Sequence, residues 1–450
     1  MKDSKYVLTR IWQVAGLLSF LAFLSHAQTV DNGSFETDTF GTFPGYSSQG
    51  GNGVITSWTS TNTARTGVNP GGGNPFANNG TKPDGTNVAF IQSSTGTGTL
   101  SQTITGLTIG ETYRVVYYYN GRTGTDAQLD ATMGASTLLQ TPSAFTEVGG
   151  ANQYYYAGSE FTATGTSATL TFANIAPAGD STLLLDNISI ALASSDGLTT
   201  AAWTNDADSG VSSGWNHTAA ANFGSASNAV INGVTFIGAG GNNPSGTGYT
   251  TSGLSATFGS DANNVTGAGA SRVLANSFNF SGNPETVTFS GLTSGRRYVA
   301  SFYTVGFDAT AARNQTISDG AGGSATISQN VYGNNNGLRL SYTYIATGTT
   351  QAFSFTPHVT SPLYSFHNYG ISNRQHFLAW DGGTSNWFTG TNWDATDNAT
   401  IPSTGVDALI DNGGTAQVSS GTATAETLDV GGTTGGTLDY SAGTLDIDTI

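Results

Sequence analysis

Apolar and polar residues alternate in short runs along this chain, as in Val88 to Ile91, Leu100 to Ile104, Tyr113 to Tyr119 and Ala168 to Phe172. Successive side chains of a strand point to opposite faces, so each run can bury one face against a second layer. Between the runs lie stretches rich in glycine, asparagine and threonine, and the 62 glycines supply turn conformations freely. After residue 27 no window of about 12 residues carries a helical period. The expected fold class is all-β: two β-sandwich domains followed by the start of a β-solenoid.

The first residues behave differently. Lys2, Lys5 and Arg10 precede the apolar run Val14 to Leu24, which ends in Ser25-His26-Ala27. That order is a secretory signal peptide over 1–27, with a mature chain starting near Gln28. No later run approaches the roughly 20 apolar residues of a spanning helix, so the protein is expected to be secreted, extracellular or at the cell surface. The net charge is −16; losing Lys2, Lys5, Arg10 and Asp3 removes a net +2 and leaves −18. Nucleic acid is therefore not an expected partner. There is no cysteine, which leaves stability to sheet packing and metal despite the oxidising route.

The length calls for more than one core. The first domain is expected over 29–193, the second over 199–374 and a third segment over 378–450, with Ala193-Ser194-Ser195-Asp196-Gly197 as a linker. The first two share a turn. Gly106-Leu107-Thr108-Ile109-Gly110-Glu111-Thr112-Tyr113 matches Gly291-Leu292-Thr293-Ser294-Gly295-Arg296-Arg297-Tyr298, each leading from one strand into an aromatic one whose Tyr faces the core. The third segment combines Trp380, Trp387 and Trp393 with the steps Leu428-Asp429-Val430, Leu438-Asp439-Tyr440 and Leu445-Asp446-Ile447, which suggest stacked solenoid rungs. The chain stops shortly after the third of these, and the expectation is a fragment of a longer protein.

Two acidic segments stand at the ends of the first domain: Asn32-Gly33-Ser34-Phe35-Glu36 and Leu184-Leu185-Asp186-Asn187-Ile188-Ser189-Ile190. If the first and last strands run side by side, Glu36 and Asp186 face each other, and two such carboxylates call for a cation between them. Structural Ca2+ is the expected cofactor. Asp206 and Asp208 also resemble part of a calcium loop, but they lack the Gly and distal Glu spacing and read as a polar turn.

On these motifs, together with Trp58, residues 29–193 resemble the galactose-binding-like jelly-roll modules that bacterial xylanases and laminarinases carry as carbohydrate-binding modules. The resemblance implies that Glu36 and Asp186 hold the calcium, helped by nearby carbonyls. Residues 378–450 resemble the Trp-rich start of autotransporter-like β-helical repeats of bacterial surface proteins.

Such modules bind sugar by stacking an aromatic face on the ring and hydrogen-bonding its hydroxyls. Period two puts Tyr113, Val115, Tyr117 and Tyr119 on one face of their strand and Arg114, Val116, Tyr118, Asn120 and Arg122 on the other. Tyr118, Asn120 and Arg122, with Trp58, are the expected carbohydrate-binding residues; Tyr46 and Phe76 lie in loops near them in sequence. Packing the core is the competing role for each aromatic. The partner is expected to be a polysaccharide or cell-surface glycan.

Catalysis has little support in the sequence. His358, His367 and His376 lack metal-ligand spacing, and there is no cysteine nucleophile or phosphate loop. A non-catalytic binding protein is expected, with a structural adhesin and a polysaccharide-degrading enzyme as alternatives.

Overall fold

The computed structural model describes residues 28–449 apart from 39–53, 72–74, 77, 94–97, 110–111, 178, 194–195, 214, 262, 268, 309–311, 359–363, 394–400, 403–406 and 432–434. Residues 1–27, the expected signal peptide, and Tyr46 lie outside them. Strands dominate, and the described helices are single turns such as Ser271–Leu274. The all-β expectation holds. No helix among the described residues is long and apolar enough to cross a membrane.

In the first sandwich, a five-stranded antiparallel sheet runs Thr59–Ser60, Gly98–Thr105, Ser167–Asn174, Leu129–Met133, Ser136–Gln140. It faces Tyr155–Thr162, Thr112–Gly121, Ser181–Leu192, Asn87–Ser93 and Thr66–Pro70. The core between them contains Leu100, Tyr117, Phe172 and Leu185, all fully buried. A second sandwich sets a seven-stranded sheet, centred on Gly337–Ile345, Arg297–Val305 and Gly370–Gln375, against Tyr249–Ser252, Glu285–Ser290, Thr350–Pro357, Asn314–Ser318 and Ser324–Ser328. Its core holds Phe289, Phe302, Phe353 and Phe355. One parallel bridge, Thr326 to Tyr155, joins the edge strands of the two sandwiches into a continuous ten-stranded sheet.

The duplicated turn has the same construction twice. Gly106 and Gly291 hold φ of 78° and 74°, a conformation that costs a residue with a Cβ. Leu107 and Leu292 are buried. The Tyr113 hydroxyl accepts the Thr108 amide at 2.9 Å, and the Tyr298 hydroxyl accepts the Thr293 amide at 2.8 Å. Each tyrosine thus pins the turn to the strand that follows it.

From Phe377 the geometry changes to parallel pairing. Phe377–Ala379, Asp407–Ile410, Thr422–Val430 and Thr444–Thr449 stack in one sheet, and Thr384–Asn386, Thr415–Val418 and Thr437–Tyr440 in another. Register pairs Thr415 with Thr437 and Thr422 with Thr444, as successive rungs of a solenoid do. Its first rung is filled by Trp380, Trp387 and Trp393, with ring centroids 5.0 and 4.7 Å apart in edge-to-face contacts.

Candidate glycan and cation sites

The Asn32–Glu36 segment lies against the last strand of its sandwich, where the Ile188 amide donates to the Gly33 carbonyl at 2.9 Å. A Cβ at Gly33 would run into the Ile188 carbonyl, so close approach requires glycine there. Glu36 clamps the loop over 84–87: Oε1 accepts the Thr86 and Asn87 amides at 2.7 and 2.5 Å, and Oε2 accepts the Thr86 hydroxyl at 2.8 Å. From the other side, Ser181–Leu192 breaks register between Asp186 and Ser189, with Asn187 at φ 47°. A bulge of this kind re-aims a side chain, here Asp186. Its Oδ2 accepts the Asp84 amide at 3.0 Å and its Oδ1 the Asn187 amide at 2.7 Å.

Both expected acids therefore meet one loop, with Asp84 between them. Asp186 is fully buried and has no cationic partner among the described residues. Burial, reinforced by the Asp84 and Glu36 charges and opposed by the two amides, pushes its carboxyl up to about 8. Among the described residues no three His, Cys, Asp or Glu side chains are grouped to hold a metal. A calcium ion here would draw on two carboxylates and on backbone oxygens for the rest of the six to eight it takes.

The strand Thr112–Gly121 divides as period two demands on its inner face, where Tyr113, Val115, Tyr117 and Tyr119 are buried. The outer face is not an open groove. Arg114 is buried under the linker and donates to the Asp196 carbonyl at 2.8 Å. Asn120 is fully buried: its amide donates to the Asn79 and Val148 carbonyls at 2.9 and 3.0 Å, and its oxygen accepts the Gly121 and Val148 amides at 2.9 Å. Those four bonds leave it nothing for a sugar. Trp58 is also in the core, packed on Phe35 and Phe172, with its indole N–H donating to the Asn32 carbonyl at 3.2 Å. Phe76 joins the same core. These placements correct the expectation for Asn120 and Trp58. Loop backbone covers that end of the strand, and burying a large ring is worth about 2–3 kcal/mol.

Arg122 and Tyr118 remain half-buried. Arg122 pairs with Asp180 at 2.6 Å along a shallow cleft of about 620 Å³ whose lining contains no aromatic ring. Tyr118 sits edge-on to Tyr156, with centroids 5.5 Å apart. The four expected residues do not converge on one site.

Tyr155 and Tyr156, neighbours on an edge strand, point to opposite faces of the sheet that joins the sandwiches, and each lines a pocket at the seam. The pocket at Tyr155 is larger, about 260 Å³; Tyr119 and Tyr155 in its lining are 2% and 1% exposed, and its half-buried ring, Phe145, stands edge-on to both. The pocket at Tyr156, about 170 Å³, is walled by Leu198, Ile317, Ala325 and the half-buried rings of Tyr156 and Tyr342. At its rim the Tyr342 hydroxyl donates to Asp319 Oδ2 at 2.7 Å, while Asp319 Oδ1 accepts the Ala321 and Gly323 amides at 2.8 and 2.9 Å. Sequence reasoning missed Tyr342 and Asp319, because only the docking of two sandwiches brings them to Tyr156.

The polar-turn role of Asp206 and Asp208 is visible. Asp206 accepts the Ala270 and Ser271 amides, and Asp208 accepts the Thr204 amide. His367 is buried, stacked on Phe278 with centroids 4.1 Å apart, and burial together with Arg313 lowers it to about 3.

No protein family model matches the chain. Halomucin from Haloquadratum walsbyi is 33% identical over 123 residues, which are 27% of this chain; the chain spans about 1% of that protein's length. Similar solved structures include the ANX2 ectodomain from Arabidopsis thaliana, at 10% identity and TM-score 0.29, covering 66% of this chain and 87% of that one. The plant receptor-like kinase FER follows at 12% identity and TM-score 0.29, covering 69% and 87%. The carbohydrate-binding module TmCBM61, solved with beta-1,4-galactotriose, has 15% identity and TM-score 0.24, covering 36% of this chain and 97% of that one.

Proposed function

We propose that this chain is a non-catalytic glycan-binding protein of the cell exterior, and that its sugar site is the seam pocket between Tyr156 and Tyr342. The supporting observation is two half-buried aromatic walls beside a hydroxyl–carboxylate pair, which offers a ring face and hydrogen-bonding groups together. At about 170 Å³ the pocket is smaller than the ~300 Å³ lower end of typical ligand sites, so it takes one sugar ring of a chain and binds weakly. Its lining includes a single carboxylate, Asp319, where a glycosidase uses a pair.

Calcium belongs to the same proposal as a structural ion, held by Glu36 and Asp186 in the first sandwich. The support is a buried Asp186 carboxylate without a cationic partner among the described residues, aimed at the loop that Glu36 also holds. Its contribution is to neutralise those charges and fix the loop.

A glycan array probed with the chain from residue 28, followed by calorimetric titration of any hit, tests the sugar site. Affinity should fall at least tenfold in Tyr342→Ala and Tyr156→Ala, since losing a stacking ring costs on the order of 1–2 kcal/mol. A wild type that binds no glycan on the array supports a structural adhesin instead.

A further inference from the structure

The second sandwich carries a polar row on the face of its seven-stranded sheet opposite Leu340 and Phe302. Ser341, Ser301 and Ser372 stand in register across three adjacent strands, with the Ser341 and Ser301 hydroxyls 3.0 Å apart. Arg339 lies two residues before Ser341 and Arg374 two after Ser372, so period two places both guanidiniums on this face, at opposite corners of the row. Arg339 Nη1 donates to the Ser341 hydroxyl at 3.1 Å, and the Gly210 backbone is packed so closely that a Cβ there would strike the guanidinium. Arg374 lies 3.8 Å from the Trp215 ring centroid and donates to the Gln375 carbonyl at 3.2 Å. The Nε of each arginine is buried without a hydrogen-bond partner.

Acids outnumber Lys and Arg by 29 to 13. Arg339 and Arg374, like Arg65, Arg272 and Arg313, form no ion pair among the described residues. Burial and the charge of Arg339 lower Arg374 to about 10; Glu160 acts on it in the opposite direction and accepts the Thr199 hydroxyl at 2.9 Å, Thr199 being in register with Ser341. The two half-buried guanidiniums repel each other, and their planar donor sets match carboxylate or sulfate oxygens.

We propose that Arg339 and Arg374, the half-buried groups beside the buried serines Ser341, Ser301 and Ser372, form an oxyanion site that takes the carboxylate of a uronic acid or the sulfate ester of an acidic glycan. The oxyanion follows from the two arginines. That a sugar carries it rests on the glycan-binding function proposed above.

The test uses the chain from residue 28 at matched ionic strength. Melting is followed in sodium sulfate and in sodium chloride, and titrations are run with an oligogalacturonide, a sulfated galactan fragment and a neutral galactan of equal length. The rise in melting from chloride to sulfate should be larger in wild type than in Arg339→Gln or Arg374→Gln, because sulfate stabilises folded proteins in general and only the excess reports a site; one acidic oligosaccharide should bind at least tenfold tighter than the neutral one, its identity separating carboxylate from sulfate. Arg339→Gln and Arg374→Gln should each abolish that preference, whereas Arg296→Gln, an equal change in charge, should leave it within twofold. A sulfate increment equal in wild type and both glutamine variants, together with no acidic preference, overturns the site, as does a preference that survives in both variants. An increment that shrinks in the variants with no sugar bound retains the anion site and removes the glycan reading.

Discussion

The two sandwiches share a turn and put opposite chemistry around it. In the first, Ile109 of the turn is 63% exposed, and a buried carboxyl, Asp186, lies near Glu36 and Asp84. In the second, the matching stretch carries Arg296 and Arg297, which pair with Asp429 and Asp407 of the solenoid, and Arg297 also reaches Asp196 of the linker. Arg339 and Arg374 of this sandwich form no ion pair among the described residues. One turn design thus serves as a plain corner in one domain and as a three-way joint in the other. The shared part is what holds a sheet corner together, and the variable part is what faces outward.

The largest expected effect tests the shared part. Tyr113→Ala and Tyr298→Ala should each destabilise their own sandwich by about 3–5 kcal/mol, as truncation of a buried aromatic does. Urea denaturation followed by fluorescence checks this, and a loss in one domain only would break the equivalence of the two corners.

Next comes the acidic end of the first sandwich. The Asp186 carboxyl is raised in the folded state from its usual value near 4 to about 8, so the folded chain holds the proton more tightly than the unfolded one. In chelator, stability should be greatest near pH 4 as far as this group is concerned and decline as pH rises through about 8. Calcium should flatten that decline, and Asp186→Asn should remove it. Melting temperatures from pH 5 to 9, with and without calcium, decide the matter; a slope unchanged in Asp186→Asn would show that another group sets it.

A smaller effect isolates the tyrosine hydroxyls. Tyr113→Phe and Tyr298→Phe each strand one turn amide, at a cost of about 1 kcal/mol apiece. Similar losses by chemical denaturation would confirm that the hydroxyl contact is equivalent in both corners.

The smallest concerns the joint. The Arg296–Asp429 pair is 2.7 Å long but partly exposed at both partners, so a double-mutant cycle should give at most ~1 kcal/mol, reduced at high salt. A coupling well above that would mean that the solenoid is held mainly through this turn.

Much of the fold was legible because period two is a local property. The alternation of Tyr113, Val115, Tyr117 and Tyr119 predicts their burial whatever packs on them, and GLxxGxxY carries its own turn geometry. Glu36 and Asp186 were legible as two acids brought to one loop, although residues 31–38 form turns and not the expected first strand. The outer face of Thr112–Gly121 was not. The sequence assigns Asn120 and Arg114 to the face away from the core, but whether that face is open depends on the loop at Val148 and the linker at Asp196.

By itself, then, the sequence determined the all-β class, the paired corners, the tryptophan-filled first rung and the two acids at one end of the first sandwich. Each rests on residues close in the chain or on a periodic pattern that one strand carries alone. Only the tertiary structure decided that Trp58 and Asn120 are interior, that Tyr156 meets Tyr342 across a seam, and that Arg339 and Arg374 share a face. Those outcomes depend on which layers stack and at what register, and packing between distant segments leaves no periodic trace in the sequence of either one.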